Sequence, residues 1–283
     1  MADLARRTPF FVETPEGFEP TRACAGYWED GTISGRPVGG LLGFVLERAF
    51  GEPDRVPTRF CVDLLRPPPR RTLTPSLRLV KDGGRTRLAA VELYAGNELV
   101  ALASCQFVRR TENPALPTRQ TPGWRAPSPD RLAADGDTRH WELRPIPAAA
   151  GADRSGWAAP ARPEGARGNP PVLGALSPID ARQAWARETR PLVGGQPLSP
   201  FVRVALAADF ASPLANSSED SIDFVNSDFT AHLHRTPVGE WIGFDLVRHH
   251  ARDGVALGEC WLHDEQGPIG SVTVTAVAQR QRV

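Results

Sequence analysis

Between Val38 and Phe50, apolar side chains fall at Val38, Leu41, Leu42, Val45, Leu46, Ala49 and Phe50. Steps of three and four draw one broad apolar stripe down a helix. Gly51-Glu52-Pro53 stops it, because proline cannot continue the hydrogen-bond ladder. The pattern then switches to strand-like runs over 58–65, 75–81, 85–94 and 99–109, with Asp82-Gly83-Gly84 and Gly96-Asn97 among the breaks. Turns that short join antiparallel neighbours. The same order returns later in the chain. Phe201, Val204, Ala205 and Ala208 repeat the helical spacing behind Pro200, a residue suited to a first helical turn. Runs over 221–233, 240–249, 255–263 and 269–279 repeat the strands, with Arg252-Asp253-Gly254 and Asp264-Glu265-Gln266-Gly267 as matching turns. An element order that occurs twice predicts two copies of one unit. A helix laid on an antiparallel sheet, twice over, is an α+β architecture.

Between the copies the character changes. From Thr111 to about Asp180 the chain is rich in Pro, Ala, Gly and Arg, which cannot bury enough apolar surface to order itself strongly. We expect a linker there with one embedded strand near 140–144 and a mobile stretch over about 148–171. The expected division is residues 1–110, a linker over 111–175, and residues 176–283. Length agrees, since 283 residues suggest about two domains of ~150 each.

Charge narrows the range of partners. Lys plus Arg and Asp plus Glu both number 33, so no excess positive charge points to nucleic acid or an anionic membrane. Residues 1–20 contain Arg6, Arg7, Glu13, Glu16 and Glu19 without an apolar run, and do not read as a signal peptide. No stretch approaches the ~20 apolar residues of a membrane span. Cys24, Cys61, Cys105 and Cys260 are far apart and form no CxxC pair, so a zinc site is not expected and a cytoplasmic protein is. His232 and His234 share a strand face, but two ligands without a third do not define a metal site. No cofactor is implied.

Several short motifs now combine. Arg36-Pro37-Val38-Gly39-Gly40 opens the first helix, 60–65 leads into Arg66-Pro67, and an apolar strand ends in Ala103-Ser104-Cys105-Gln106-Phe107. In the second copy Gln183-Ala184-Trp185-Ala186-Arg187 precedes the helix, Ala208-Asp209-Phe210 closes it, and His234-Arg235-Thr236-Pro237 follows the next strand. Together they resemble the acyl-CoA thioesterase II family. The resemblance implies a tandem (double) hotdog: two curved antiparallel sheets, each wrapped around a long central helix. It implies hydrolysis of an acyl-CoA or carrier-bound acyl thioester, hence a place in lipid metabolism. The family's Asp, hydroxyl residue and Gln fall on Asp209, Asn226 and about Thr275, so one of the three types is kept. The Gln that usually follows the Gly-Gly pair is Leu41. These departures leave a rival reading open, a non-catalytic acyl or polyketide binder.

Hydrolysis needs a polarised carbonyl and a positioned water. Gly39 and Gly40, taken as the opening of a helix, could present unpaired amides to the thioester oxygen. Asp209 could orient the water or take its proton. Asn226 can donate and accept at once, and Ser227 and Thr275 add further polar groups. Trp28 could line an acyl tunnel. Arg66 and Arg235 are candidates for CoA phosphates, although such residues are more often surface or hairpin-end arginines. No GxSxG elbow supports a covalent serine route. Whether the chain acts alone or as a homo-oligomer stays open.

Overall fold

In the computed structural model, residues 7–26, 29–115, 123–134, 141–147, 182–217, 222 and 224–279 are described. The expected mobile stretch and Trp28 lie outside them. A short hairpin, β1 (Phe11–Thr14) and β2 (Gly17–Pro20), comes first. Helix α1 (Gly35–Phe50) follows, then β3 (Arg55–Leu64), β4 (Leu73–Asp82), β5 (Thr86–Ala95) and β6 (Glu98–Arg109). Strand β7 (Trp141–Pro145) follows. After β8 (Gln183–Glu188) come α2 (Pro200–Ala207), a single 3-10 turn (Ala208–Phe210) and α3 (Ala211–Asn216). Strands β9 (Phe224–Leu233), β10 (Trp241–Arg252), β11 (Val255–Asp264) and β12 (Gly267–Ala278) complete the chain.

All twelve strands join in one sheet, ordered β1-β2-β4-β5-β6-β3-β9-β12-β11-β10-β8-β7. The order reads the same from either side of the β3–β9 seam: β4-β5-β6-β3 on one flank and β10-β11-β12-β9 on the other. At the seam the strands pair antiparallel, with Phe60 opposite Ala231 and Val62 opposite Phe229. This corrects the expectation of two sheets, each wrapped around its own helix. An unpaired β3 or β9 would leave a row of backbone groups without partners, and each strand supplies what the other lacks. The core is likewise continuous. Phe60 meets Phe201 of α2 and Phe229 of β9 edge-on, with ring centroids 5.4 and 5.9 Å apart.

The second helix also departs from expectation. It is not one long rod. Pro213 removes an N–H and crowds the carbonyl four residues back, which belongs to Asp209. The chain therefore tightens into a 3-10 turn at Ala208–Phe210 and resumes as α3. The interruption falls at the candidate carboxylate.

On the sheet face away from the helices, the segment before β7 lies over the far edge. The Trp124 ring packs on Trp185 (5.2 Å between centroids) and on His263 (4.5 Å). Gly243 pairs with both Trp185 and His263, and any side chain there would collide with Trp124. The Trp185 indole N–H donates to the Pro127 carbonyl at 2.9 Å. His263 is 2% exposed, and neither ring nitrogen has a partner among the described residues. Burial, with Arg235 nearby and only partly offset by Asp264, holds its pKa down to about 4. An unfolded chain binds this proton below about 6.5, the folded one only near 4. Stability should therefore fall as pH drops from 6.5 towards 4, by about 3 kcal/mol. In His263→Phe the ring contact stays and that acid sensitivity should go. Urea midpoints measured at pH 7 and 4.5 check it, and equal acid losses in both proteins would refute it.

Candidate active site

Residues from both copies meet where α1 begins. Ser34 is the N-cap of α1, and its own N–H donates to the Cys24 carbonyl at 3.0 Å. Pro37, the third helical residue, has no N–H. Among the described residues, only the amides of Gly35 and Arg36 are left over in the first turn, because Val38 reaches back to the N-cap carbonyl. The side chain of Ser34 caps neither.

Asp209 lies directly against this opening. A Cβ built on Gly35 would stand 2.6 Å from its Oδ1. Glycine is thus required here for close approach, not for a turn. Asn226, from β9, donates through Nδ2 to Asp209 Oδ1 at 2.9 Å. An ionised carboxylate only accepts, so the amide N–H₂ faces it and Asn226 Oδ1 faces away. Asp209 keeps a partial opening to solvent as a residue. Burial of its carboxyl raises its pKa above the usual aspartate value, opposed by the Asn226 hydrogen bond and the charge of Arg36.

The other predicted residues are placed differently. Gly39 and Gly40 are the fifth and sixth residues of α1, where amides are paired inside the helix, so they cannot form the anion-binding opening. They serve packing instead. A side chain on Gly39 would meet Phe229 and the Ala205 carbonyl, and one on Gly40 would meet Leu206. Thr275 is separated from Asp209 by the pleat. Its neighbours Val274 and Ala276 are buried on the helix side, and Thr275 pairs with Asp228 and exposed Leu257 on the other. The site-side position is Ala276, opposite Asn226. Ser227 sits at a bulge and donates to Asp228 Oδ1 and the Thr275 carbonyl, away from Asp209. Arg235 is engaged by Asp264 through both terminal nitrogens, and Arg66 pairs with Glu98.

Comparison with known proteins fits this arrangement. Residues 24–109 match the family described as Acyl-CoA thioesterase N-terminal domain, and residues 117–278 the one described as Acyl-CoA thioesterase C-terminal domain. The chain belongs to the acyl-CoA thioesterase family. No curated protein sequence matches it. Among the solved structures to which it is similar are the following. A protein proposed to be a thioesterase, from Novosphingobium aromaticivorans, is 15% identical over 97% of this chain and 100% of that one, with a TM-score of 0.66. A hot dog fold protein of unknown function from Alicyclobacillus acidocaldarius is 14% identical over 96% of both chains, TM-score 0.63. An acyl-CoA thioesterase II from Mycobacterium marinum is 17% identical over 87% of this chain and 90% of that one, TM-score 0.60. At these identities the structural likeness establishes the hotdog fold alone, and the family match makes this chain a thioesterase. No helix among the described residues is long and apolar enough to cross a membrane.

Within this thioesterase the repeat also produces a counterpart of the Asp209 site. Glu47 of α1 accepts from the hydroxyl of Ser199, which caps α2. Thr58 Oγ1 donates to the Gln106 carbonyl at 3.2 Å from a bulge in β3, as Ser227 Oγ donates to the Thr275 carbonyl at 3.3 Å from the bulge in β9. Where β9 has Asn226, β3 has Pro57, which offers no side-chain donor. The two ends thus share a backbone but not a chemistry. Sequence reasoning missed Gly35 and Arg36, although Ser34 three residues before Pro37 is a helix-start signal.

Proposed function

We propose that the chain hydrolyses an acyl-CoA or carrier-bound acyl thioester at the Asp209–Asn226 pair, with the Gly35 and Arg36 amides as the oxyanion site. The observation that carries this reading is the 2.9 Å Asn226–Asp209 hydrogen bond set against the free first turn of α1. With Asn226 Nδ2 committed to Asp209 Oδ1, the second carboxylate oxygen, Oδ2, is left as an acceptor. A water donating to it would turn a lone pair towards the thioester carbon. The carbonyl oxygen, held by two backbone N–H groups and the positive end of the helix dipole, becomes an oxyanion as water attacks. Asp209 takes the water's proton. The C–S bond then breaks, the tetrahedral intermediate becomes the free acid, and the proton passes to the leaving thiolate. Two amides aimed at the developing charge supply on the order of 3 kcal/mol each.

A raised carboxyl suits this role, since a base works best with a pKa near the working pH. Protonated Asp209 cannot accept the proton, so turnover should climb with pH and level off above the raised pKa of Asp209. Thiol release from acyl-CoAs of graded chain length, followed with a thiol dye between pH 4 and 8, tests this. A flat profile would remove Asp209 as the base. Ala276 leaves the site without the third polar group of the family pattern. That favours one alternative, acyl binding without turnover. It would be established by thermal stabilisation with acyl-CoA and no thiol release at any chain length.

A further inference from the structure

At the β3–β9 seam Phe60, Val62, Phe229 and Ala231 are buried on the helix side. Strand alternation sends their neighbours to the outer face: Arg59, Cys61 and Asp63 from β3, and Asp228, Thr230 and His232 from β9. Pairing there sets like against like. Asp63 lies opposite Asp228, and Arg59 lies opposite His232. Two carboxylates directly opposed across a strand pair repel. None of these four side chains has an ion-pair partner among the described residues, and the Nε of Arg59 is buried without a hydrogen bond among them. One end of the seam is thus acidic and the other basic, about 13 Å apart along the strands. Between the ends stand small uncharged side chains, Cys61 and Thr230, flanked by Ser104 of β6 and Thr273 of β12.

We propose that this face joins two copies of the chain, sheet on sheet, about a two-fold axis that crosses the strands at Cys61 and Thr230. Such an axis reverses the strands of the second copy but keeps β3 over β3 and β9 over β9. Arg59 then stands over Asp63 of the second copy and His232 over its Asp228, and each contact occurs twice. Charges without a partner in one chain meet opposite charges in the other. Both contacts demand the same centre, because Cys61 lies midway between Arg59 and Asp63, and its pairing partner Thr230 lies midway between Asp228 and His232. Packed sheets stand about 10 Å apart. Small side chains at the axis permit that approach, and the longer charged ones bridge it at the ends. The same rotation serves the apolar part of the face. Val255, Leu257 and Val277 are exposed at one end of β11 and β12. The 123–134 segment docks at the other end of β11, where Trp124 packs on His263, so in the second copy it is carried towards these three side chains. A face whose charges complement themselves when reversed fits a copy of itself.

Light scattering over a concentration series tests the assembly. The wild-type protein should reach twice the 30.7 kDa of one chain. Asp63→Lys sets a lysine against Arg59 at both contacts and should raise the dissociation constant about tenfold or more. Arg59→Glu/Asp63→Lys restores opposite charges and should recover the dimer. Asp63 is exposed on the outer face, and urea midpoints of both variants establish that they stay folded. Cys61 gives an independent reading, since it meets its own copy at the axis while Cys24, Cys105 and Cys260 are buried. A short bismaleimide should link two wild-type chains and should fail to link Cys61→Ser. A wild-type protein that stays monomeric at every concentration overturns the proposal. Fast labelling of Cys61 by a maleimide then means a bare face, and slow labelling means a face covered by another part of the chain. A dimer that Asp63→Lys does not weaken and that Cys61 does not link overturns it as well.

Discussion

Asp209→Asn should lower kcat/KM for thioester hydrolysis by about 100-fold or more, with the fold intact. Asparagine has nearly the same shape, and its carbonyl can still accept from Asn226 Nδ2. What disappears is the capacity to take a proton. Stability should hold or rise slightly, because a charge that burial disfavours has been removed. The loss should appear in kcat more than in KM, since the proton moves only on the way to the transition state. The acid limb of the pH profile should vanish with it. Turnover near the wild-type rate would mean that water is activated by another group, and the Asp209–Asn226 pair would then be structural.

Gly43→Val should destabilise the protein by a net ~2 kcal/mol or more. Gly43 lies in the middle of α1, where a Cβ would stand 2.6 Å from Ala205 Cβ on α2, with Phe201 and Phe60 at 3.5 and 3.6 Å. Neither side of that contact can rotate away, since an alanine methyl has no torsion to relieve the overlap. The helices must separate, at about 3 kcal/mol for an overpacked core. Replacing a helical glycine gives back at most about 1 kcal/mol in propensity, less for a β-branched residue. Packing therefore decides the sign. The same displacement should carry the start of α1 away from Asp209 and lower turnover beyond the loss of folded protein. Urea unfolding followed by tryptophan fluorescence reads the first effect, and specific activity of the folded fraction reads the second. An unchanged midpoint would mean that the two helices do not touch at Gly43.

These two expectations differ in how far they could be read ahead of the fold. Asp209 is legible in the sequence through the family resemblance, and it sits among apolar helical positions where a carboxylate needs a reason. Asn226 was reached only by analogy of position, and its bond to Asp209 depends on a bulge at Ser227 that shifts the register. Thr275 was misplaced for the same reason. Strand alternation is legible in sequence, but which parity faces the helices is set by pairing with neighbours. The Gly-Gly pair drew attention as a helix opening, yet the helix begins four residues earlier at Gly35. Boundaries are the least certain part of any periodic pattern. The break at Asp209 is local and could have been read from Pro213.

The chain alone determined the repeat, the antiparallel order within each copy, and the long first helix. These follow from periods of 2 and 3.6, which act over a few residues and need no partner. Tertiary structure decided that the copies share one sheet through β3 and β9, that the helices close to contact at glycine, and that Gly35, Arg36, Asp209 and Asn226 converge. Each of those is a contact between residues far apart in the chain. Such contacts depend on how surfaces dock, and no local pattern of hydrophobic and polar positions encodes the docking.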